Sequence, residues 1–559
     1  MRVKLFIGLI VLCEIVTAQT PNWQWARKSG STSGEKCYSI SADGVGNLYT
    51  TGFFTSPILF GSYSLTNVGS ADIFIAKYDL NGNALWAKGF GGVNDEGGFG
   101  ISSDSSGSIY VTGYFSSPSI TFSSTTLTNT GGNDIFIVKL DATSGNVIWA
   151  ISDGGTGDDR GIGIRADAYN NVYLTGSFAS PIISFGTTTL TNAGGYDVFI
   201  TKYAGASGTR LWTKSAGGFN DENGPNANDN GGTITTDANG NVFAIGYFSS
   251  AQITFGSTTL NNTTGSYDLF VVKYDSVGNV LWAKSAGGTG LNNDGAFGIC
   301  TDVFGNAFVT GAFDSPSIVF GSFTLTHPLS TSGDVFIVKY DISGNVVWAK
   351  NFGGIGDDIG YGICTDTYGN IYTAGIIHSD TAIFGTFNLI NPAAPSGDFF
   401  VSKLDASGNV VWALSAGGTN DDFAYDIAFD ATSGSIYIAG NFASSSITFS
   451  TTTLTNSGFA DIYVAKLNNP FTSISEINNQ VKTTVYPNPF NFEVTIQLSN
   501  KITAAHLSLY NIYGEMIKSL SVDGDIVKIN RDNLPNGLYF IRITQDNKII
   551  VTDKLVITE

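Results

Sequence analysis

The 559-residue chain has little charge, little sulfur and little histidine. Only 13% of its residues are charged, and it contains 4 Cys, 2 Met and 3 His. Acidic residues outnumber basic ones, 46 to 27, which gives a formal net charge of −19. Because a phosphate backbone requires a basic footprint on its protein partner, this balance argues against nucleic-acid binding.

The scarcity of cysteine limits the kinds of site that the chain can hold. Cys13 lies in an apolar N-terminal segment, which leaves Cys37, Cys300 and Cys364 for the mature chain. An odd number without a CxxC pair argues against a disulfide framework and against a zinc site. Cys300 and Cys364 recur in the same Gly-Ile-Cys-Thr-Asp context, and we interpret them as small packed strand residues.

The N-terminus has the features of a secretory signal peptide over residues 1–18. A basic start, Met1–Lys4, is followed by the apolar run Leu5–Val16 and by the small residue Ala18 before Gln19. This pattern predicts export by the general secretory pathway, with cleavage between Ala18 and Gln19. The apolar run is too short for a spanning helix and no second one of sufficient length follows, so we expect no transmembrane segment in the mature chain.

Glycine and aromatic residues are abundant, and tryptophan recurs at nearly even spacing. The chain has 69 Gly and an aromatic fraction of 13%. Seven tryptophans open variants of Trp-Ala-Lys-x-x-Gly-Gly at intervals of 61 to 70 residues: Trp25, Trp86, Trp149, Trp212, Trp282, Trp348 and Trp412. Period-two alternation between Gly-Asn turns predicts four antiparallel strands per unit. Seven such units predict an all-β fold, a seven-bladed β-propeller with four-stranded blades over residues 19–470.

The two ends of the repeat region complement each other. Trp23–Lys28 has the sequence of a fourth strand without a preceding blade, and the seventh unit stops at Leu467–Pro470 without a fourth strand. We therefore predict that the N-terminal strand closes the last blade, which removes the unpaired sheet edge between first and last blades. The repeats resemble the SBBP-type β-propeller repeats of bacterial surface proteins. This resemblance implies the propeller fold but no defined biochemical function.

The C-terminal part follows a different pattern. Residues 471–484 have the composition of a linker, and alternating apolar residues predict a small β-sandwich over residues 485–559. Its most specific residues are Tyr486, Pro487, Asn488, Pro489, Gly537, Tyr539 and Lys554. Through these residues the module resembles the type A C-terminal sorting domain of the type IX secretion system. The resemblance implies recognition by that secretion machinery and passage through the outer membrane, followed by release or attachment to surface lipopolysaccharide.

Strand direction assigns the connections of each blade to two faces. The loops between blades and the long connections between second and third strands share one face, here called the loop face. The two Gly-Asn turns of each blade share the opposite face, the turn face. Because binding sites concentrate on elaborated loops, we expect a ligand site on the loop face, near the mouth of the central channel.

The inter-blade loops carry repeated carboxylates: Asp95, Glu96, Asp158, Asp159, Asp221, Glu222, Asp294, Asp357, Asp358, Asp421 and Asp422. Clustered carboxylates are ligands of hard cations, so one interpretation is Ca²⁺ binding. A second is that they accept hydrogen bonds from loop N–H groups, and a third is attraction of a basic partner. Repetition in every blade favours the hydrogen-bond interpretation. The fourth loop, residues 220–230, is seven residues longer and departs most from the repeat.

No recognised catalytic motif lies in a convincing context. His327 and His378 stand outside the repeated acidic loops, and we predict surface or loop positions for both. An active site needs one distinct pair of carboxylates, whereas these are near-identical in several blades. We therefore predict a non-enzymatic secreted or surface-attached binding or structural protein with a protein or glycan partner. A polysaccharide-active hydrolase or lyase on the same scaffold is the alternative.

Overall fold

The computed structural model describes residues 21–220, 233–262, 265–288, 293–327, 332–468, 483–511, 516–545 and 548–558. The chain forms two compact units, Thr20–Asn469 and, at the C-terminal end, Pro470–Glu559. No helix occurs in the described ranges, and every regular element in them is a strand. The predicted signal peptide with Ala18 and Gln19 lies outside the described residues.

The first unit begins with β1 (Asn22–Ser29) and continues in repeats that each hold a four-stranded sheet and a short outer hairpin. The first repeat comprises β2 (Glu35–Ala42), β3 (Leu48–Phe54), β4 (Ile58–Phe60), β5 (Tyr63–Leu65), β6 (Asp72–Tyr78) and β7 (Ala84–Phe90). The second comprises β8 (Glu96–Ser103), β9 (Ser108–Phe115), β10 (Ser119–Phe122), β11 (Thr125–Thr128), β12 (Asp134–Asp141) and β13 (Val147–Asp153). The third comprises β14 (Asp159–Ala166), β15 (Asn171–Phe178), β16 (Ile182–Phe185), β17 (Thr188–Thr191), β18 (Asp197–Ala204) and β19 (Thr209–Ala216).

Four more repeats follow in the same order. The fourth comprises β20 (Ile234–Thr236), β21 (Val242–Phe248), β22 (Gln252–Phe255), β23 (Thr258–Asn261), β24 (Asp268–Tyr274) and β25 (Val280–Ala286). The fifth comprises β26 (Asp294–Thr301), β27 (Ala307–Phe313), β28 (Ser317–Phe320), β29 (Phe323–Thr326), β30 (Asp334–Tyr340) and β31 (Val346–Phe352). The sixth comprises β32 (Asp358–Thr365), β33 (Ile371–Ile377), β34 (Thr381–Phe384), β35 (Phe387–Ile390), β36 (Asp398–Leu404) and β37 (Val410–Ala416). The seventh comprises β38 (Asp422–Asp430), β39 (Ser435–Phe442), β40 (Ser446–Phe449), β41 (Thr452–Thr455) and β42 (Asp461–Asn468).

The first strands of the sheets follow one another in a closed order. Each contacts the first strand of the next sheet, β2 with β8, β8 with β14, and so on to β38, which contacts β2. The core lies between neighbouring sheets, as where Ile73 and Ile75 of one sheet cluster with Ile109 and Val111 of the next. The predicted N-terminal closure is confirmed, because β1 pairs antiparallel with β42 and aligns Trp25 with Lys466.

The periodic tryptophans join neighbouring sheets. Trp86 Nε1 donates a hydrogen bond to the carbonyl oxygen of Ala142, in the turn of the next sheet, at 3.3 Å. Lys77 Nζ donates to the same oxygen at 2.8 Å. The turn residue Gly145 has a φ of 67°, and an added Cβ would lie 3.0 Å from the Trp86 ring, so only glycine fits there. Five more of the seven tryptophans each donate to the equivalent turn carbonyl of the next sheet: Trp25, Trp149, Trp212, Trp282 and Trp348.

The seventh tryptophan marks the place where the ring closes. Trp412 Nε1 is buried and has no hydrogen-bond partner among the described residues. Its acceptor would belong to a turn between β42 and β1, but these two strands are not consecutive in the chain. Trp23 of β1 instead packs edge-on against Phe449 and Phe399, with ring centroids 4.9 Å and 6.0 Å away. Aromatic packing thus holds the closing strand where a turn is missing.

The C-terminal unit has five described strands around one core: β43 (Thr483–Tyr486), β44 (Glu493–Tyr510), β45 (Met516–Asn530), β46 (Gly537–Gln545) and β47 (Lys548–Ile557). They form one hydrogen-bonded sheet in which β44 pairs with β43, β45 and β46. Register shifts interrupt β44 between Gln497 and Ala505, and residues from both of its halves, such as Val494 and Leu507, enter the same core. The two-layer sandwich remains a prediction, as does most of the predicted linker, which falls outside the described residues.

Candidate functional site

In the acidic pairs that the structure describes, the second carboxylate is fully buried and accepts several hydrogen bonds. Asp159 Oδ2 accepts the Gly155 N–H at 2.8 Å and the Ser180 hydroxyl at 2.6 Å, and its Oδ1 accepts the Ser180 N–H at 3.1 Å. This carboxylate ties the loop between two sheets to the connection after the second strand, which places both on the loop face as predicted. The equivalent residues with no exposed surface are Glu96, Asp294, Asp358 and Asp422.

The first carboxylate of three of these pairs has a different role. Its Oδ1 accepts the backbone N–H of the residue directly before a third strand, at 3.0 Å for Asp158 with Asn133, 3.0 Å for Asp357 with Gly333 and 2.8 Å for Asp421 with Gly397. Asp95 is exposed, and its backbone carbonyl accepts the Ser116 N–H at 3.0 Å. The three carboxylate contacts agree with the interpretation that these aspartates accept hydrogen bonds from loop N–H groups. Asp221 and Glu222 lie outside the described residues, with the remainder of the long fourth loop.

A metal-binding cluster is not formed by the carboxylates that the structure describes. Searched over those ranges, the chain brings no three His, Cys, Asp or Glu side chains together in a way that could hold an ion. The nearest pairs join an acidic-loop residue to the aspartate that starts a third strand. Burial raises the pKa of Asp134 to about 6, with repulsion from Asp159 adding to the effect, and raises that of Asp268 to about 7, with repulsion from Asp294.

An aromatic belt lines the inner edge of the ring. Ring centroids are 5.1 Å apart between Tyr38 and Phe99, 5.9 Å between Tyr38 and Tyr425, and 5.4 Å between Tyr425 and Tyr361. All four side chains are buried. On the loop-face side, Lys36 Nζ lies 5.8 Å from the Tyr38 centroid, a cation–π distance.

A pocket of about 250 Å³ opens on the loop face at the fourth and fifth sheets. Gly295 pairs with Ala312 across β26 and β27, and both residues line the pocket. At the same repeat positions the first sheet pairs Lys36 with Phe53, and the sixth pairs two isoleucines. Two small residues facing each other in the fifth sheet therefore leave space that other sheets fill.

The walls of this pocket combine aromatic and polar groups. Tyr247 and Tyr267 meet edge-to-face with centroids 4.8 Å apart, and the half-buried Phe297 faces the same space. Asn293 and Asp314 supply polar groups. Burial, together with repulsion from neighbouring aspartates, raises the pKa of Asp314 to about 6. We call these five side chains the loop-face pocket, and sequence reasoning did not single out any of them.

The two histidines of the repeat region differ from each other. His378 keeps partial exposure; its Nδ1 lies 2.7 Å from the carbonyl oxygen of Asp357, and its Nε2 lies 3.8 Å from Asp421 Oδ1. His327 lies in a loop directly after β29, as predicted, but not at the surface: it is only 7% exposed and packs edge-on against Phe313 of β27 at 5.3 Å.

The residues of the predicted sorting motif come together in the C-terminal unit. Asn488 Nδ2 donates to the Lys554 carbonyl oxygen at 2.8 Å, and Asn488 Oδ1 accepts the Val556 N–H at 2.8 Å. Tyr539 is buried, and its hydroxyl donates to the Pro535 carbonyl oxygen at 3.0 Å. Gly537 begins β46 opposite Ile557, while Tyr486, Pro487 and Pro489 are exposed.

Residues 484–558 match the family described as the secretion system C-terminal sorting domain. The C-terminal unit is a sorting domain. It directs the chain to the type IX secretion machinery, so the protein is secreted or displayed at the cell surface. In the described ranges, a helix of the length and apolarity required to cross a bilayer is not found.

The chain is also similar to two longer proteins. An uncharacterized WD repeat-containing protein of Acanthamoeba polyphaga mimivirus is 24% identical over 537 residues, covering 79% of this chain and 38% of that protein. Regulatory protein FlaEY of Caulobacter vibrioides is 25% identical over 284 residues, covering 45% of this chain and 27% of that protein. The chain thus spans well under half the length of either relative. The first similarity supports a repeat protein of propeller type.

Solved structures resemble the chain only distantly. A fungal alcohol oxidase of the AA5 family, in complex with copper, has a TM-score of 0.40 at 13% identity, covering 97% of this chain and 100% of that one. Quinohemoprotein alcohol dehydrogenase from Comamonas testosteroni has a TM-score of 0.33 at 11% identity, covering 77% and 76%. Similarity at this level assigns no activity.

Proposed function

We propose that the protein is a secreted or surface-displayed binding protein, built on a closed seven-bladed β-propeller, whose loop face engages a glycan. The observation that carries this proposal is the loop-face pocket on a chain that bears a sorting domain. A sorting domain exports the propeller to the outside of the cell, where polysaccharides and foreign proteins are the available partners. The propeller supplies a rigid ring on which the loop-face pocket is held.

The composition of the pocket favours a sugar over a flat protein surface. Tyr247, Tyr267 and Phe297 present aromatic surface, and Asn293 and Asp314 add hydrogen-bonding groups at the same opening. Small-ligand sites in general combine apolar or aromatic walls with a few placed polar groups. A sugar ring offers C–H groups to the aromatic walls and hydroxyls to the polar groups. A partner protein docking on the same face is the other outcome that the test below distinguishes.

The test is a screen of the purified propeller against glycans and proteins, followed by two pocket variants. Ala312→Phe fills the pocket with phenylalanine, which the first sheet carries at the same repeat position as Phe53. Asp314→Ser removes the carboxylate and introduces serine, which the second repeat carries at the same position as Ser116. We expect each to weaken glycan binding at least tenfold. Asp380→Ser, which removes an equal charge from an exposed loop-face position outside the pocket, is expected to leave binding unchanged.

The same variants separate the competing functions. Binding of a protein but no glycan, unaffected by Ala312→Phe, would contradict the glycan proposal and assign the partner to another part of the face. Turnover of a polysaccharide that Asp314→Ser abolishes would replace the binding function with a polysaccharide-active enzyme. The repeated carboxylates do not favour that outcome, because their oxygens already accept hydrogen bonds from loop groups.

A further inference from the structure

The wall of the loop-face pocket carries acidic groups and no basic ones. Asp294 and Asp314 both border the space, and the described residues that line it include no Lys, Arg or His. Asp294 is fully buried and is held in position, because it accepts the Ser315 hydroxyl at 2.8 Å and the Gly288 N–H at 2.7 Å. Asp314 is half-buried. A ligand that enters the pocket therefore meets two carboxyl groups.

Asp314 is an addition to the repeat rather than one of its recurring carboxylates. The other six repeats carry no acidic residue at this position, directly after the second strand: Thr55, Ser116, Ala179, Ser249, His378 and Ala443. In the adjoining inter-blade loop, Asn293 stands where the loop before the third repeat has Asp158, and Asn293 Oδ1 accepts the Tyr267 N–H at 3.4 Å. A neutral amide thus makes the backbone contact here, and the fifth repeat places its extra carboxylate on the pocket wall.

The charged groups around Asp314 make the local potential negative. Burial raises the pKa of Asp314 to about 6, and repulsion from Asp357 and Asp294 adds to this effect, while attraction to His327 opposes it. Neighbouring carboxylates that disfavour a further negative charge favour a positive one through the same Coulomb energy. The pocket is accordingly suited to a cation.

Aromatic rings supply the second element of a site for an organic cation. Tyr247 and Tyr267 meet with ring planes inclined at 69°, and Phe297 lines the same space. An ammonium group is attracted to the face of an aromatic ring within about 6 Å of its centroid, and aromatic cages recognise organic ammonium ligands in this way.

The repeats already contain this combination in their interior. Lys273 Nζ lies 4.6 Å from the Phe243 centroid and 3.3 Å from Asp237 Oδ2. A lysine over an aromatic ring recurs in other sheets, as for Lys139 with Tyr110 at 5.1 Å. The loop-face pocket brings rings and carboxylates together with no lysine on its described wall, so the ammonium group of a ligand can take the corresponding place.

We propose that the glycan bound by the loop-face pocket carries a free amino group, so that the recognised unit is an amino sugar. This inference rests on the proposed glycan-binding function and names the chemical class of its ligand. A volume of about 250 Å³ accommodates one sugar ring, with its C–H groups against the aromatic walls and its ammonium group beside Asp314. Over the described residues no three metal-ligating side chains meet, so the favoured cation is an organic one.

Calorimetric titration of the whole protein with three matched ligands tests the proposal. They are a tetrasaccharide of β-1,4-linked glucosamine, its fully N-acetylated counterpart, and tetralysine as a peptide of similar charge. At about pH 6.5, where Asp314 and the amino groups are largely charged, we expect the glucosamine ligand to bind at least tenfold more tightly than either of the others. N-acetylation removes the ammonium group and keeps the sugar backbone, so the ratio of the two sugar affinities measures recognition of the amino group.

Variants of the pocket assign this preference to named groups. Asp314→Asn keeps the shape of the side chain and removes its charge, and we expect the ratio of the two sugar affinities to fall to about one. Asp380→Asn removes an equal charge from an exposed loop-face position outside the pocket and is expected to retain the ratio. Tyr267→Leu removes a ring and is expected to weaken glucosamine binding about fivefold, whereas Tyr267→Phe keeps the ring and is expected to lose less.

The outcomes separate failure of this inference from failure of the proposed function. Equal binding of the two sugars, or a ratio that a folded Asp314→Asn leaves unchanged, would overturn the amino-sugar assignment and leave a glycan-binding pocket. So would binding of a neutral glycan by a protein that does not bind the glucosamine ligand. Tighter binding of tetralysine than of the glucosamine ligand would contradict both and assign the pocket to a basic protein. If Asp314→Asn does not fold, equal binding of the glucosamine ligand by the wild type and Tyr267→Leu would overturn the inference.

Discussion

Aspartates of the inter-blade loops and aspartates of the turns between third and fourth strands have opposite surroundings. On the loop face, Asp358 has no exposed surface, and burial raises its pKa to about 6 even though Ser379 and His378 donate to it. On the turn face, Asp141 accepts the Ser144 hydroxyl at 2.7 Å and the Ser144 N–H at 2.8 Å, and these bonds hold its pKa below its usual range. The same residue type, repeated around one ring, is thus a buried acceptor in the inter-blade loops and a solvated cap in the turns between third and fourth strands.

The largest difference between the faces is expected in the pH dependence of stability. The loop-face carboxyls with pKa values of about 6 to 7 in the folded chain include Glu35, Asp134, Asp197, Asp268, Asp314, Asp358, Asp398 and Asp422. An unfolded aspartate titrates near 4, so between these values the folded chain binds more protons than the unfolded one, and stability falls as pH rises. We expect the free energy of unfolding in urea to fall by several kcal/mol from about pH 5 to pH 8.

Single substitutions assign that slope to a face. Asp268→Asn removes the loop-face group with a pKa of about 7 and is expected to make the pH dependence shallower. Asp275→Asn on the turn face, where hydrogen bonds from Asn279 and Val277 outweigh desolvation and lower the pKa, affects only the range below about pH 4. A stability that is equal or greater at pH 8 would contradict the assignment.

The next effect separates the faces at neutral pH. Asp358→Ala leaves the Ser379 hydroxyl and N–H group without this acceptor in a buried setting and removes one of the two acceptors of the His378 N–H group, and we expect a loss of about 3 kcal/mol. Asp341→Ala removes an exposed turn cap bonded to Ser343 and Asn345, with an expected loss of about 1 kcal/mol. Chemical denaturation of both variants measures the difference. Equal losses would show that burial of the loop-face carboxylate does not matter.

A smaller effect tests what the turn face contributes to joining the sheets. Gly344 and Gly369 both have a φ of 80°, so alanine is strained equally at either position. A Cβ on Gly344 would lie 2.7 Å from the Trp282 ring, whereas on Gly369 its nearest neighbour would be 3.8 Å away. We expect Gly369→Ala to cost about 1 kcal/mol and Gly344→Ala about 1 to 2 kcal/mol more in unfolding free energy. Equal costs would mean that the tryptophan yields without penalty.

The smallest expected effect concerns calcium. The buried carboxylates of the described acidic loops already accept hydrogen bonds from the protein, and no three of the described acidic side chains gather. We therefore expect millimolar Ca²⁺ to leave the melting temperature unchanged at constant ionic strength. A rise of several degrees would support the calcium interpretation, and substitution of Asp221 and Glu222 would then test the long fourth loop first.

The repeat period predicted the scaffold well because each marker has one local physical cause. The tryptophan recurs because its indole, as in Trp86, packs against a turn glycine of the next sheet and donates to a carbonyl of the same turn. The pairing of β1 with β42 follows because the seventh repeat lacks a fourth strand of its own. The acidic pairs were harder, since adjacent residues of a loop point in opposite directions. The sequence does not reveal that Asp159 is buried while Asp158 accepts a hydrogen bond from the Asn133 N–H group.

The functional positions were missed because they are defined by comparison between sheets. The small pair Gly295 and Ala312 can be read from an alignment of the repeats, but its meaning depends on the strand register that sets the two residues opposite each other. Tyr247 and Asp314 belong to different repeats, and only the three-dimensional structure brings both to the wall of one pocket.

The pairing of β1 with β42 also sets an order of events in time. Lys28 on β1 bonds to Asp461 on β42, two residues separated by 433 positions in the chain. At ribosomal speeds of about 5–20 residues per second, the second strand follows the first by roughly 20 to 90 seconds. During this interval β1, with Trp23, has no β42 to pair with. The ring therefore cannot close while its C-terminal part is still being made. The seam is the last joint to form, and a factor that holds the N-terminal strand would keep the whole ring open.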